Sequence, residues 1–181
     1  MRVIAGKNKG RKLKSKSGKD VRPTSDRAKE ALFNMLNAQV TAGRFLDLYA
    51  GFGGIGIEAL SRGAYEVIFI EKDTKNIAII EDNLNGMLGE EDTELITGDV
   101  LQKLAFLKPD FDLIFADPPY ENDNLYQKTL DLIDKYNLLH QKGIIIFEHS
   151  SEIELELDGS YKKIKERSYG RSAFTFLLKE E

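Results

Sequence analysis

The 181-residue chain contains no cysteine. That absence excludes disulfides, thiolate-ligated zinc and any cysteine nucleophile together. No run of about 18 apolar residues occurs, so no transmembrane helix is expected. The opening residues, MRVIAGKNKGRKLK, lack the apolar stretch of a secretory signal. Internal repeats and low-complexity tracts are also missing. Proline is scarce: there are four, and two of them are adjacent at Pro118 and Pro119. What remains is an ordinary globular balance, 41% apolar and 31% charged. A chain of this length can bury a core without covalent staples, and one domain plus an appendage is expected.

The net charge of -4 conceals a split. Residues 1–30 hold eleven Lys or Arg and three acids, so they carry +8 and the rest of the chain carries -12. Such asymmetry points to an arm that meets a polyanion; a solvated tail is the plainer alternative. Val3, Ile4 and Leu13 interleave with the cations, and a two-residue Lys9-Gly10 step would turn a hairpin between them. The division expected is an arm over residues 1–24 and a main domain over 25–181.

Ser25 is placed to cap a helix with Asp26 in its first turn, and Ala28, Ala31, Leu32, Met35 and Leu36 follow at helical spacing. Strands then alternate with helices. The strands are expected at residues 45–48, 67–70, 94–97, 111–116 and 143–148. The helices are expected at 55–61, at 74–84 with Thr74 as cap, at 100–107 and at 124–139. This rhythm predicts a parallel α/β sheet covered on both faces. Residues 161–167 and 172–178 break it, reading as two strands about a Tyr169-Gly170 turn, an antiparallel pair closing the sheet.

The first strand runs into Asp47-Leu48-Tyr49-Ala50-Gly51-Phe52-Gly53-Gly54-Ile55-Gly56. Gly51, Gly53 and Gly56 satisfy GxGxxG, and Glu71 lies twenty residues beyond Gly51. Those features suit any nucleoside cofactor over a strand–helix turn, including a dinucleotide. Asp47 argues against the dinucleotide, because a carboxylate there would repel a pyrophosphate. S-adenosylmethionine has no phosphate and carries an ammonium and a sulfonium, which a carboxylate suits. The alternative roles are a capped structural carboxylate for Asp47 and an exposed strand-end acid for Glu71. Asp99 follows the third strand, placed to accept from an adenine amine, to cap the next helix, or both.

The fourth strand stops at Asp117-Pro118-Pro119-Tyr120. Two prolines hold the backbone extended and remove two N–H donors, leaving outward carbonyls and one carboxylate at the cofactor end of the sheet. An exocyclic amine on a nucleobase is a poor nucleophile, because its lone pair is delocalised into the ring. Acceptors aimed at its two hydrogens, the Asp117 carboxylate and the Pro118 carbonyl, favour a tetrahedral nitrogen whose lone pair faces the methyl donor. Positive charge developing on nitrogen is then stabilised by Asp117, and Tyr120 would stack on the base. A rigid strand-ending turn is the alternative. With no cysteine for a covalent adduct, transfer to nitrogen is favoured over transfer to pyrimidine carbon.

These residues resemble the RsmD-type 16S ribosomal RNA (guanine-N(2)-)-methyltransferases of bacteria along the whole chain. The resemblance runs through MRVIAGKNKGRKL, RPTSDRAKEALFNML, DLYAGFGGIGIEALSRGA, Gly98-Asp99, the DPPY segment and the late YGRS; RPTSDR and EALSRGA are its most specific parts. It implies a seven-stranded, Rossmann-like methyltransferase sheet with a basic N-terminal hairpin, and a guanine 2-amino group of small-subunit ribosomal RNA as acceptor. It implies S-adenosylmethionine, without a metal, held by Asp47, Tyr49, Gly51, Gly53, Glu71, Lys72, Asp99 and Val100. It places Asp117, Pro118 and Tyr120 on the base. One departure is that Tyr49 and Phe52 stand where Phe and Ser are commoner.

RNA contacts are expected at Arg2, Lys7, Lys9, Arg11, Lys12, Arg22, Arg27, Tyr169 and Arg171. The partner expected is 16S ribosomal RNA within a small subunit or an assembly intermediate, and the protein is expected to be a cytoplasmic monomer. Alternatives are an adenine-amine methyltransferase on RNA or DNA, a nicotinamide-binding oxidoreductase, and an inactive RNA-binding or assembly factor.

Overall fold

The computed structural model describes residues 1–15, 25–87, 92–119 and 124–180. Helix α1 (Asp26–Leu36) begins where Ser25 Oγ accepts from Ala28 N at 3.1 Å, and it buries Ala28, Lys29, Leu32, Phe33 and Leu36 along one stripe. A 3-10 turn (Asn37–Gln39) ends it. There follow β1 (Arg44–Leu48), α2 (Gly54–Ser61), β2 (Glu66–Glu71), α3 (Thr74–Leu84), β3 (Asp92–Thr97) and α4 (Val100–Lys103). The chain continues through β4 (Phe111–Ala116), α5 (Asn124–Lys135), β5 (Leu139–Ser150), β6 (Tyr161–Tyr169) and β7 (Ser172–Lys179).

The seven strands form one sheet in the order β3-β2-β1-β4-β5-β7-β6. Strands β1 to β5 are mutually parallel, and β7 runs antiparallel between β5 and β6. The α/β alternation and the antiparallel closure are as expected from the sequence. Strands β1, β2 and β4 are buried along nearly their whole length because helices cover both faces. One face packs Phe45, Val67, Phe69, Phe115, Ile146 and Phe174 against α1, α2 and α3. The other packs Leu46, Ile68, Ile114 and Phe147 against Val100, Tyr126, Leu130 and Ile133.

Several expected boundaries shift for local reasons. Thr74 is the first residue of α3, and the cap is Asp73, whose carboxylate accepts from Lys75 N at 2.8 Å. The helix expected over 100–107 is one α-helical turn followed by a 3-10 turn (Leu104–Phe106). Strand β5 begins four residues earlier than its apolar run, because Leu139 pairs with Phe111 across a register shift.

The first fifteen residues fold back on themselves. Val3 N donates to Arg11 O, Gly10 N to Val3 O and Leu13 N to Met1 O, and Arg2 pairs with Lys12. The connection is not the expected two-residue turn but a wide loop, held by its own bonds from Lys9 N to Gly6 O and from Arg11 N to Asn8 O and tied to α2 by Lys7 N donating to Ser61 O at 2.7 Å. Ile4 N and Ala5 N donate to Glu58 at 2.8 and 3.0 Å, and Asn8 N donates to Ser61 Oγ at 3.0 Å. A Cβ on Gly6 would lie 1.7 Å from Ser61 O, so glycine is required there. Glu58 also pairs with Lys29 Nζ at 3.2 Å and Arg62 Nε at 2.8 Å, and Lys29 Nζ donates to Arg2 O at 2.7 Å. Lys29 and Glu58 are both fully buried, and burial lowers the Lys29 pKa. Buried charges persist only when paired and hydrogen-bonded, a condition this network meets. Val3 and Leu13 thereby join the main core.

Candidate active site

The strand order reverses between β1 and β4, and in open α/β sheets ligands bind at the carboxyl ends of the strands beside such a reversal. A cleft of about 1270 Å³ opens there. One side is lined by Tyr49, Glu71, Lys72, Asn76, Asp99 and Val100, from the ends of β1, β2 and β3 and the starts of α3 and α4. The other is lined by Asp117, Pro118 and Pro119 after β4, by Ser25, Arg27 and Ala28 of α1, and by residues 168–172 of the β6–β7 turn.

Register explains the clustering of acids. Side chains alternate between faces along a strand. Asp47, Glu71 and Glu148, together with Asp117 just past the end of β4, continue the positions of β1, β2, β5 and β4 that face α1 and α2. Because Ala116 pairs with Phe147, Asp117 and Glu148 fall on neighbouring strands at the same level.

Gly53 precedes α2 with φ +75° and has no side chain to cap the helix. Asp47 supplies the missing acceptor from β1: its Oδ2 takes the Gly56 N–H at 2.8 Å. A Cβ on Gly56 would meet the Phe69 ring at 2.2 Å, so this approach needs glycine. Burial pushes the Asp47 pKa up to about 8, with Glu71 adding to the shift and the Gly56 N–H opposing it. Asp47, Gly51 and Gly53 lie beneath the cleft and do not line it.

Glu71 is buried and accepts from Gly51 N, Lys72 N and Asp73 N at 2.8, 2.9 and 2.8 Å, which fixes the glycine loop to the end of β2. Three of the four or so acceptor positions of a carboxylate are then used. Asp99 caps α4 through Leu101 N at 3.0 Å and also lines the cleft. Tyr49 lines the cleft with φ +58°, and its hydroxyl is hydrogen-bonded at 2.8 Å to Thr129 of α5.

Asp117 is half-buried and Pro118 buried. Burial raises the Asp117 pKa well above the ordinary carboxylate value, and the charges of Glu148 and Asp47 push it further. Tyr120 and Arg22 lie outside the described residues. Two further residues were missed in the sequence. Glu148 closes the apolar run of β5, and a lone charge ending such a run is the signal that could have found it. Asn76 Oδ1, at the start of α3, is buried without a hydrogen-bond partner among the described residues and lies in an unremarkable helix.

The expected RNA contacts divide. Arg27, Tyr169 and Arg171 line the cleft. Arg2 and Lys9 line a separate groove of about 440 Å³ between the hairpin and α1, which Arg27 also lines. Lys7 and Lys12 are exposed on the hairpin. Arg11 is committed elsewhere: its guanidinium donates to the Gly86 carbonyl at 2.6 Å and to that of Asn85, at the end of α3.

The family described as conserved hypothetical protein 95 matches residues 1–178. Ribosomal RNA small subunit methyltransferase D of Haemophilus influenzae is 35% identical over 176 residues, covering 94% of this chain and 89% of that one. The protein of the same name from Escherichia coli is 30% identical over 183 residues, covering 99% and 90%. The solved structure of yhhF from Escherichia coli superposes with a TM-score of 0.86 at 27% identity, covering 99% of this chain and 98% of that one. The chain therefore belongs to the family of the small-subunit ribosomal RNA methyltransferases D, which it matches in sequence and in fold along nearly its whole length.

Proposed function

We propose that this protein transfers the methyl group of S-adenosylmethionine to the exocyclic 2-amino group of a guanine in 16S ribosomal RNA. The observation that carries the reading is the position of Asp117 and Pro118 in the same cleft as Glu71 and Asp99, at the reversal of strand order.

The cleft fits the cofactor in three respects. Its volume exceeds the few hundred Å³ of a typical small-ligand pocket, leaving room for a nucleoside and a base together. Asp47 already takes the Gly56 N–H and sets a carboxyl under the N-terminus of α2, where the pyrophosphate of a dinucleotide would lie, which favours a cofactor without phosphate. Asn76, with its orphaned Oδ1, lines the same cleft as Glu71 and Asp99, and hydroxyl and amine donors of a nucleoside would satisfy these acceptors. When bound, S-adenosylmethionine supplies an electrophilic methyl on sulfur. Glu71, Asn76 and Asp99 hold its nucleoside, with Tyr49, Lys72 and Val100 as walls.

Asp117 and Pro118 accept the two amine hydrogens and turn the nitrogen lone pair toward the methyl. Asp117 then takes the proton released as nitrogen is alkylated, a task that its raised pKa suits. Guanine presents N1–H beside its 2-amino group, two parallel donors that one carboxylate accepts together; adenine presents an acceptor beside its amine. Residues 1–24, with Lys7, Lys9 and Lys12, serve as the RNA-binding arm of the domain at 25–181, the protein acting as a monomer on the subunit or its assembly intermediate.

The test is methyl transfer to protein-free 16S ribosomal RNA and to small subunits from a strain lacking the gene. Digestion and mass spectrometry are expected to find N2-methylguanosine. N6-methyladenosine would overturn the choice of base, and no methylated nucleoside in either substrate would overturn the reading entirely.

A further inference from the structure

Residues 31–181 carry a net charge of -12, yet residues 161–171 hold five cations and one acid. This stretch is edge strand β6 and its turn into β7, and the strand's pairing sorts the cations. Residues directly opposite one another in an antiparallel pair share a face. Lys162 faces Leu178, Lys165 faces Phe176 and Arg167 faces Phe174, all on the face covered by α1 and the hairpin. A register shift at Ile164 sends Lys163 to the other face, opposite Leu177, where it pairs with Glu166 at 3.2 Å.

The cations of the first face are not committed in this way. Among the described residues, Lys162 and Lys165 make no side-chain hydrogen bond or ion pair, and Arg167 touches only the Glu166 carbonyl. Arg171, at the turn, is exposed and also makes no side-chain bond. From Lys162 to Arg167 the row spans about 17 Å at the usual rise of a strand. It ends at Ser168, Tyr169 and Arg171 on the rim of the cleft. Lysines on an edge strand also discourage sheet-to-sheet pairing, but that purpose is served by charge on either face.

We propose that β6 is a second RNA-binding track, a one-sided row formed by Lys162, Lys165 and Arg167 that guides the phosphodiester backbone into the cleft from the β6 edge of the sheet. The proposal rests on the reading of RNA as substrate. Phosphate contacts by cations position a nucleic acid without reading its sequence, which is what a track beside a base-selective cleft requires.

The test is the salt dependence of binding to protein-free 16S ribosomal RNA from about 50 to about 200 mM salt. The triple variant Lys162→Gln, Lys165→Gln, Arg167→Gln is expected to lower the slope of log affinity against log salt by about 2, and affinity on the order of tenfold. Binding of S-adenosylhomocysteine is expected to stay unchanged. Lys163→Gln should leave the slope alone, and the charge-keeping set Lys162→Arg, Lys165→Arg, Arg167→Lys should restore it. An unchanged slope in the triple variant, or an equal loss in Lys163→Gln, overturns the track. If the wild type methylates RNA while the triple variant keeps its slope, only the track fails. If the wild type neither binds nor methylates RNA, the underlying reading of the substrate fails with it.

Discussion

The Asp47 carboxylate lies 2.8 Å from the backbone nitrogen of Gly56, three residues into α2. It thus performs from a neighbouring strand the work that an N-cap side chain performs from within a helix. The Asp47 pKa is raised to about 8, so between about pH 4 and pH 8 the folded protein holds a proton that the unfolded chain releases. This group's contribution to stability is present at low pH and lost as pH rises through that window. Asp47→Asn is expected to remove that slope, so the variant should gain on the wild type between pH 5 and pH 8 in thermal melts. An identical pH dependence in both proteins would refute this.

Gly56→Ala tests the same contact from the other side. Its new methyl would meet the Phe69 ring at 2.2 Å and the Asp47 carboxylate at 3.0 Å. Overpacking of this kind costs about 1–3 kcal/mol. The melting temperature should fall by several degrees, and S-adenosylhomocysteine affinity should fall with it as the glycine loop shifts. Retention of both would place the close approach elsewhere.

Asp117→Ala should lower kcat by about 10²–10³ while S-adenosylhomocysteine still binds within a few-fold. Asp117 can take the proton released on methylation only when ionised, so activity should rise with pH along a limb displaced above ordinary carboxylates. Glu148 and Asp47 both push that limb upward. Glu148→Gln removes one of the two charges and should move the acid limb of kcat/KM to lower pH. A limb that stays in place would mean that another group sets it.

Lys29 and Glu58, fully buried and 3.2 Å apart, join the hairpin to α1 and α2. Breaking a buried pair from one side leaves an uncompensated charge and costs about 3–5 kcal/mol. Lys29→Met should therefore lower the melting temperature by about 6–20 °C. Adding Glu58→Gln, which removes the charge but keeps an acceptor for the Ile4 and Ala5 N–H groups, should recover part of the loss. A single variant as stable as the wild type would show that the pair does not hold the hairpin down.

Arg11 and the hairpin lysines should separate in RNA binding. Neutralising Lys7, Lys9 and Lys12 should reduce the salt slope by about 2. Arg11→Gln should leave the slope nearly unchanged and instead lower stability, because its guanidinium serves the last carbonyls of α3. A slope loss from Arg11→Gln equal to that from the lysines would return it to the RNA surface.

Much of the fold was legible because its signals are local. Apolar runs of strand length alternate with helical spacing, Ser25 and Asp26 mark the start of α1, and two adjacent prolines stop β4. The glycines before α2 and the acids at the ends of β1, β2 and β4 stand where chain order puts them, so candidate site residues could be named from the sequence.

What remained hidden depends on pairing between distant segments. Nothing near Asp47 in the chain says that it turns under the loop to cap α2 and leaves the cleft to Glu71 and Asp99. Glu148 meets Asp117 only because Ala116 pairs with Phe147. Glu58, in the middle of a helix buried all round, is fully buried because four donor groups converge on it, the Ile4 and Ala5 N–H groups, Lys29 and Arg62. Strict alternation would have put Lys163, Lys165 and Arg167 on one face, and the bulge at Ile164 decides otherwise. Periodicity fixes which residues can share a face, whereas register and burial decide which of them meet.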